Sequence, residues 1–483
     1  MRWRAVLVSL AGLFAAAGLA CSRANSQQGV INLNPKITYQ TMIGWEATAQ
    51  AGQGDEYDGL ASPPPYLNAN KSFQLYKDTL FELAVNDLGI NRVRFETKCG
   101  IENPVDYADL YLRGQITWQQ WTNHRVEIVN DDADPFHINP SGFQFMGLDY
   151  TFDHSVLPIK QRLEARGEKL FINACYVCFK NENPLHRANP EEYAEFVLAV
   201  YQHMQSKFGV VPDSWEVILE PDTNTGWTAT QIGQAVVAAG RRLQANGFTP
   251  HFVVPSTTNA ANAPTWFDQI AAVPGALAYI SEISYHRYHG VSDKVLEQIG
   301  QRAAANHINS AMLELIGASY EDLHKDLKLA RNSSWSEFVL AYPRTNDDGG
   351  KYFMIDQRNA DSPVVLMGSR TKFLRQYFKF IRRGAVRIDA ATSNDSFDPV
   401  AFINTNGKYV VVVKADAGGS FTINGLPPGT YGIKFTTSSQ YDVDAPDVTV
   451  AAGQPLAASI PQAGVITVYE KTSAVEQRGS PSQ

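Results

Sequence analysis

The 483-residue sequence predicts an α/β protein in which a (β/α)8 barrel, residues 41–384, precedes an antiparallel β-sandwich, residues 385–472. Two observations predict this fold class. Eight apolar, strand-like segments alternate with helix-like segments up to Gly384, after which short alternating runs are separated by Gly, Pro, Asn and Asp. Repeated βα units favour a parallel sheet, and eight of them favour a closed barrel. An open, doubly wound sheet remains the alternative, although no strand leads into the glycine-rich phosphate turn of such sheets.

The first residues are typical of an export signal. Arg2 and Arg4 precede an apolar run over residues 5–20, which is too short for a membrane-spanning helix. We therefore predict a signal peptide at residues 1–20 and a polar tether at residues 21–30. Cleavage after Ala20 and lipidation of Cys21, as in bacterial lipoproteins, both stay open. We expect the protein to be exported, and to be periplasmic, attached to the cell surface or secreted.

The composition is that of a soluble globular protein, with 44% hydrophobic and 19% charged residues. A net charge of −8 and a pI near 5.7 provide no basic surface for nucleic acid. Cys175 and Cys178 have neither a second cysteine pair nor a histidine cluster beside them, so we expect no metal site. In an oxidising compartment we expect one disulfide, from Cys99 to one of these two cysteines. No cofactor is expected, and we expect a monomer.

The first third of the chain begins with two strands and contains two long loops. A strand over residues 31–40 is expected to join the β-sandwich, and the first barrel strand follows within residues 41–50. The 3.6-residue spacing of apolar positions predicts a helix over residues 73–88, and the second barrel strand covers residues 90–96. The loops after these two strands are long, and loops of such length are usually functional or partly ordered.

The remaining elements alternate regularly. Asn189-Pro190 is typical of a helix start, with asparagine as the N-cap and proline at the first helical position. Further barrel strands are expected over residues 170–176, 217–220, 251–255, 279–285, 311–316 and 335–342. Helices are expected over residues 152–166, 190–208, 231–246, 265–272, 293–306 and 371–381. Sandwich strands are expected over residues 400–404, 409–413, 421–423, 431–435, 448–450 and 465–469, with a disordered tail at 473–483.

Acidic residues stand at the ends of several predicted barrel strands. The apolar run over residues 217–219 leads into Glu220 and Pro221, and proline cannot donate to a sheet, so we place Glu220 on the last strand position. The carboxyl ends of all barrel strands meet at one mouth. The residues expected there are Glu46, Arg94, Glu96, Glu220, His286, Tyr288, Glu314 and Tyr342. Two carboxylates with Arg and His nearby are what glycoside hydrolysis requires, one as an acid and one as a nucleophile.

Several short motifs resemble the retaining glycoside hydrolases of clan A, above all those of family 30. The stretches at residues 39–45, 89–94, 312–314 and 380–388, and Glu220-Pro221, are similar to that family's motifs. The resemblance implies a barrel with a β-sandwich, an oligo- or polysaccharide substrate with β-linkages, Glu220 as the acid/base and Glu314 as the nucleophile. A carboxyl separation of about 5–5.5 Å is then expected.

Further site residues are assigned around this pair. Arg94 is expected to orient the nucleophile and keep it ionised. By family position, His286 or Tyr288 is expected to contact the nucleophile or the substrate. Sugar platforms are expected from the aromatic residues Trp45, Trp227 and Tyr342. The reserve carboxylates are Glu46, Glu96 and Asp222, of which Asp222 is the first alternative acid.

One position departs from the clan pattern. Asparagine usually precedes the acid/base glutamate and contacts the sugar 2-hydroxyl, whereas this chain has Leu219. An apolar side chain cannot make that hydrogen bond, so two alternatives remain open: a catalytically inactive glycan-binding barrel, or a transglycosylase with the same site. The sequence does not indicate the sugar, the linkage, or endo or exo action.

Overall fold

A computed structural model describes residues 27–52, 66–179, 183–223, 225–343, 345–359 and 361–471. The predicted signal peptide, Cys21 and the tail after residue 472 lie outside these ranges. Within them, no helix has the length and apolar character needed to cross a membrane.

The described residues form nineteen strands and twelve α-helices. The strands are β1 Gln27–Thr41, β2 Gly44–Thr48, β3 Arg92–Lys98, β4 Phe171–Val177, β5 Ser214–Glu216, β6 Phe252–Asn259, β7 Ile280–His289, β8 Asn309–Glu314, β9 Ser334–Tyr342, β10 Lys351–Asp356, β11 Val364–Met367, β12 Val386–Thr392, β13 Phe397–Ile403, β14 Tyr409–Ala415, β15 Gly419–Asn424, β16 Gly429–Thr437, β17 Val443–Val450, β18 Leu456–Ile460 and β19 Gly464–Glu470. The helices are α1 Tyr66–Glu82, α2 Tyr107–Leu112, α3 Trp118–His124, α4 Met146–Thr151, α5 Leu157–Glu164, α6 Leu185–Ala188, α7 Pro190–Phe208, α8 Ala229–Ala245, α9 Ala263–Ala271, α10 Asp293–Ala305, α11 Tyr320–Lys325 and α12 Ser369–Phe378.

Strands β2 to β9 form a closed parallel barrel. Each strand pairs with the next in chain order, and β9 pairs with both β8 and β2, which closes the ring. The predicted eight-stranded barrel is therefore confirmed, and the open-sheet alternative is wrong. The hairpin of β10 and β11 extends the sheet from β9 and was not predicted; β10 runs parallel to β9 and β11 antiparallel to β10.

The predicted N-terminus of the helix at Asn189-Pro190 agrees with the observed cap. The Asn189 side chain accepts a hydrogen bond from the backbone N–H of Glu191 at the start of α7, with Pro190 as the first helical residue. At α8, Thr228 and Gln231 form a reciprocal capping box. The long segment between β3 and β4 is ordered and carries α2, α3 and α4 before α5.

The fourth barrel strand, β5, is short and ends before the predicted residues 217–220. β5 ends at Glu216, so the prediction that Glu220 occupies the last strand position is wrong. The chain nevertheless stays between its neighbours, since Leu219 N donates to Tyr176 O at 3.0 Å and Glu220 N to Ser256 O at 3.1 Å. Glu220 itself has a left-handed backbone with φ of 50°. Such a conformation costs a non-glycine residue free energy and is concentrated at functional sites.

The β-sandwich is built from β1 and β12 to β19. Its strand order is β17-β16-β19-β14-β13-β12-β1-β15-β18. All neighbours are antiparallel except β1 and β15, which run parallel, so the predicted antiparallel sandwich has one exception. Helix α12 joins the sandwich to the barrel, because Gln376 bonds to the side chains of Thr436 and Thr467.

The barrel interior contains a buried ion network on the side of the strand N-termini, away from the mouth. Arg92 begins β3, and its guanidinium binds Glu46 through Nε at 2.5 Å and Glu282 through both terminal nitrogens at 2.8 and 2.9 Å. All three side chains are buried. The sequence predicted Glu46 at the barrel mouth, and this prediction is wrong. Glu46 stands opposite Arg92 in the β2–β3 register and points into the barrel below the strand ends.

We predict that replacing Arg92 with methionine destabilises the fold strongly. The Arg92→Met variant leaves two buried carboxylates without a counter-charge, which costs about 3–5 kcal/mol. Chemical denaturation measures the loss. The control is Arg302→Met, which breaks the exposed pair between Arg302 and Asp268 and should cost less than about 1 kcal/mol. Equal losses in the two variants would contradict the ion network's role.

Candidate active site

Glu314 is the last residue of β8, and both of its carboxylate oxygens have partners. Arg94 on β3 donates from a terminal nitrogen to Oε2 at 2.5 Å. The hydroxyl of Tyr288 on β7 donates to Oε1 at 2.8 Å. The carboxylate is thus fixed in orientation by one cation and one hydroxyl from two different strands.

Arg94 is fully buried behind Glu314. Thr48 at the end of β2 accepts from its Nε and one terminal nitrogen, at 3.2 and 3.0 Å. Burial opposes the charge of this guanidinium, but the carboxylates of Glu314 and Glu216 raise the pKa of Arg94 well above its ordinary value. Arg94 therefore stays a cation. Sequence reasoning missed Thr48, although it follows Glu46 by two positions and so shares its inward-facing side of the strand.

Glu220 and His286 form the second half of the site. His286 Nδ1 lies 2.9 Å from Glu220 Oε1, with the imidazole buried and the carboxylate partly exposed. Burial favours the neutral carboxyl, but the hydrogen bond and charge of His286 lower the pKa of Glu220 below its ordinary 4.5. Burial also opposes charge on His286, yet the hydrogen bond with Glu220 and the charge of Glu314 raise its pKa above 6.5. A proton on this pair is therefore held mainly by the imidazole.

The two carboxylates face the same small space. One side-chain ligand atom from each of Glu220, Glu314 and His286 lies within 4.8 Å of the others. These atom types also occur as metal ligands. Arg94 is in direct contact with Glu314, however, and its charge opposes a second cation at this position. The arrangement favours acid–base and nucleophilic chemistry over metal binding.

Two of the three aromatic residues expected as sugar platforms, Trp45 and Trp227, pack in the core. Trp45 is 1% exposed, stacks on Phe378 with ring centroids 4.3 Å apart and donates from Nε1 to Ile381 O. Trp227 is 6% exposed and packs edge-on against Tyr193. Tyr342 ends β9 with 7% exposed. Trp45 and Trp227 therefore offer no open ring face to a sugar, whereas Tyr342 lies at the end of a barrel strand, as predicted.

The reserve carboxylates have structural partners of their own. Asp222 accepts hydrogen bonds from the backbone N–H groups of Thr258 and Asn259 and from the Asn262 amide, which fixes the turn after β6. Glu96 pairs with Lys98 near the mouth. The structure therefore brings together Arg94, Glu220, His286, Tyr288 and Glu314, and it does not bring Glu46, Asp222, Trp45 or Trp227 to them.

A pocket lies where β3 ends. It is lined by polar and aromatic residues that include Glu96, Lys98, Tyr107, Trp121 and Arg125. The Cys99–Cys178 disulfide, with a Cα–Cα distance of 5.4 Å, ties the segment after β3 to the end of β4. Cys175 is free and buried, so the expected single disulfide forms with Cys178.

Leu219 occupies a small apolar cluster beside the site. It packs with Cys175, Val177 and Phe179. The position that carries an amide in the clan pattern is therefore enclosed by apolar groups in this chain, and no polar atom of residue 219 beyond the backbone is available to a ligand.

Comparisons with known proteins agree with this architecture. Residues 384–428 match the model of the glycosyl hydrolase family 30 β-sandwich domain. No curated protein sequence matches the chain.

Several solved structures share the whole fold. A family 30 endoxylanase from Clostridium papyrosolvens superposes with a TM-score of 0.63 at 17% identity, covering 92% of this chain and 100% of the other. A conserved exported protein from Bacteroides fragilis gives 0.65 at 12% identity over 91% and 100%. An endo-β-1,6-glucanase gives 0.59 at 16% identity over 92% and 95%. The resemblance to family 30 is thus confirmed in architecture.

We predict that the Glu220–His286 pair makes stability depend on pH. The lowered pKa of Glu220 stabilises the fold above about pH 4.5, and the raised pKa of His286 stabilises it below about pH 6.5. The Tm difference between wild type and His286→Gln should be largest between these values and should shrink as the pH rises to 9. The control is His251→Gln at an exposed position, and a pH-independent gap for His286→Gln would contradict the charge pair.

Proposed function

We propose that the protein is a retaining glycoside hydrolase that cleaves β-linked glycans with Glu314 as the nucleophile and Glu220 as the acid/base. The observation that carries this proposal is the pair of glutamates facing one space, with side-chain oxygens within 4.8 Å. Retaining enzymes need their two carboxyl groups about 5–5.5 Å apart, whereas inverting enzymes need about 6.5–9.5 Å to admit a water. The β-sandwich match and the family 30 fold support the same reaction class.

The first step uses the ionised carboxylate of Glu314. Arg94 contacts Oε2 and keeps that carboxylate charged, and the Tyr288 hydroxyl fixes the other oxygen, Oε1. Glu314 attacks the anomeric carbon, and the bond from that carbon to the leaving oxygen breaks. The leaving oxygen takes a proton from Glu220. The product of this step is a glycosyl ester of Glu314.

The proton for this step is stored on the Glu220–His286 pair. In the free site the imidazole holds it. A bound sugar excludes water from Glu220, which raises the cost of a charged carboxylate and moves the proton across the 2.9 Å hydrogen bond. In the second step the ionised Glu220 takes a proton from water, and the resulting hydroxide attacks the anomeric carbon and releases Glu314. Configuration is retained.

The proposal also covers the class of substrate and the location of the protein. The structurally similar endoxylanase and endo-β-1,6-glucanase act on xylan and on β-1,6-glucan, and we propose an oligo- or polysaccharide with β-linked sugars for this chain. The N-terminal sequence supports export, with a lipid anchor at Cys21 as one outcome. A panel of β-linked polysaccharides with product identification tests the substrate class, and binding without cleavage of any of them would favour the glycan-binding alternative.

We predict that variants of the two glutamates differ in how their activity depends on the leaving group of the substrate. Glu314→Gln removes the nucleophile and should lower kcat for every substrate by at least about 10⁴-fold. Glu220→Gln removes only the proton donor, so aryl glycosides with good leaving groups should still form the glycosyl-enzyme and show a burst. Steady-state and pre-steady-state kinetics measure both effects. Glu297→Gln, at an exposed position of α10, is the matched control, and wild-type turnover by either active-site variant would overturn the assignment.

We predict that His286 sets the alkaline limit of activity. In the wild type, the proton lost at high pH leaves the pair from an imidazole whose pKa is raised above 6.5. In His286→Gln it leaves from the carboxyl of Glu220 alone, so the basic limb of the kcat/KM profile should move to lower pH. An unchanged basic limb would show that the proton is not shared.

A further inference from the structure

A buried glutamate that the proposed reaction does not use lies on β9, beside the strand that carries Glu314. This residue, Glu337, is 1% exposed. Its backbone oxygen accepts from the N–H of Leu315 at 2.9 Å, and Leu315 directly follows Glu314. Its backbone N–H donates to the hydroxyl of Tyr352 at 2.8 Å. The main chain of Glu337 therefore holds the first residue beyond the end of β8.

The side chain of Glu337 has one hydrogen-bond partner among the described residues. Its Oε1 accepts from the backbone N–H of Gly350 at 2.9 Å, whereas no donor reaches the buried Oε2. Gly349 and Gly350 stand directly before β10 and have left-handed backbones, with φ of 88° and 74°. We call these two residues the glycine turn. The carboxyl of Glu337 is thus buried where its one hydrogen bond fixes the glycine turn.

The glycine turn packs against the residues that follow Glu314. A Cβ on Gly349 would lie 2.4 Å from the Cα of Gly317, closer than a side-chain carbon can approach another atom. A Cβ on Gly350 would lie 3.1 Å from the side chain of Ile316. Backbones approach this closely only where a residue has no side chain. The position of the glycine turn therefore limits where residues 315–317 can lie.

One of these residues contacts the hydroxyl that binds Glu314. The backbone N–H of Ile316 donates to the hydroxyl of Tyr288. The same hydroxyl donates to Oε1 of Glu314 at 2.8 Å. Because a hydroxyl has one proton to donate, the donor at Ile316 leaves that proton directed at the carboxylate. A continuous set of contacts therefore runs from the carboxyl of Glu337 through the glycine turn to Glu314.

We propose that Glu337 is a positioning residue for the nucleophile, because it holds the glycine turn against residues 315–317 and so fixes Tyr288 and Glu314 relative to each other. This inference rests on the proposed function, in which Glu314 attacks the anomeric carbon. Misplacing a reacting group by about 1 Å can lower a rate by about 10²-fold. A carboxyl that does not touch the substrate can therefore determine the rate of the first step.

The hydrogen bond to Gly350 requires an acceptor and not a charge. Burial raises the pKa of Glu337 to about 8, although the N–H of Gly350 and the charges of Arg370 and Lys351 oppose this. The carboxyl is therefore mainly neutral at pH 6. Glutamine is then its close mimic, because the amide oxygen can accept the same hydrogen bond. Leucine has a similar size and no acceptor.

The first test measures steady-state kinetics of the full chain on a panel of aryl β-glycosides at pH 6. Glu337→Leu, and Glu337→Asp with its shorter side chain, should lower kcat by about 10- to 100-fold while KM stays within about threefold. Glu337→Gln should keep kcat within about threefold of the wild type. The control Glu195→Leu replaces another buried glutamate, on α7, and should leave kcat unchanged whatever its Tm.

A double-mutant cycle separates positioning from a general loss of stability. In a Tyr288→Phe background the contacts no longer reach Glu314 through the hydroxyl, so Glu337→Asp should lower kcat by less than about threefold. Independent losses that multiply in the double variant would overturn the proposal. Wild-type kcat in Glu337→Leu or in Glu337→Asp would also overturn it.

Hydrogen exchange gives a measurement that does not require turnover. The peptide that contains residues 315–317 should exchange faster in Glu337→Leu than in the wild type, and at the wild-type rate in Glu337→Gln. If the wild type hydrolyses no aryl glycoside, the proposed function fails, and exchange still decides whether Glu337 holds this segment. Unchanged exchange in Glu337→Leu would overturn the inference.

Discussion

The contact between Arg94 and Glu314 governs the arrangement of the whole mouth. A guanidinium and a carboxylate, both withdrawn from water, tolerate burial only as partners. Arg94 comes from β3 and Glu314 from β8, so the pair reaches across the barrel interior. The contact forms only when the barrel is closed and its strands have the observed register. Tyr288 and Thr48 bond to further polar atoms of the pair, and among the described residues only Nη1 of Arg94 is left without a partner within it. The negative charge of Glu314 also raises the pKa of His286, and the charge on His286 in turn affects the pKa of Glu220.

The barrel was predictable because its strands are buried on both faces. Apolar runs of this kind are visible in a sequence, and their alternation with amphipathic helices leaves few topologies. The hairpin of β10 and β11 was not predictable in this way, since it lies outside the βα alternation and extends the sheet from β9. The parallel contact between β1 and β15 also depends on residues nearly four hundred positions apart, which no local pattern encodes.

The site was predicted in part, and the errors have one physical origin. Arg94, Glu220, His286, Tyr288 and Glu314 were expected together and lie together. Glu46 and Trp45 were assigned to the mouth because the depth of a residue along a strand cannot be inferred from its apolar neighbours. Their depth is set by register: Glu46 stands opposite Arg92 at the beginning of β3. Trp227 follows Glu220 closely, but its ring turns into the aromatic core.

The position of β1 has a consequence for how the chain matures. This strand lies between β12 and β15, third from one edge of the sandwich sheet, with Ile31 opposite both Thr392 and Ile423. The sandwich core therefore stays incomplete until the last ninety or so residues have been synthesised. Contacts of such high sequence separation form slowly. A nascent chain therefore exposes an unfinished sheet throughout elongation.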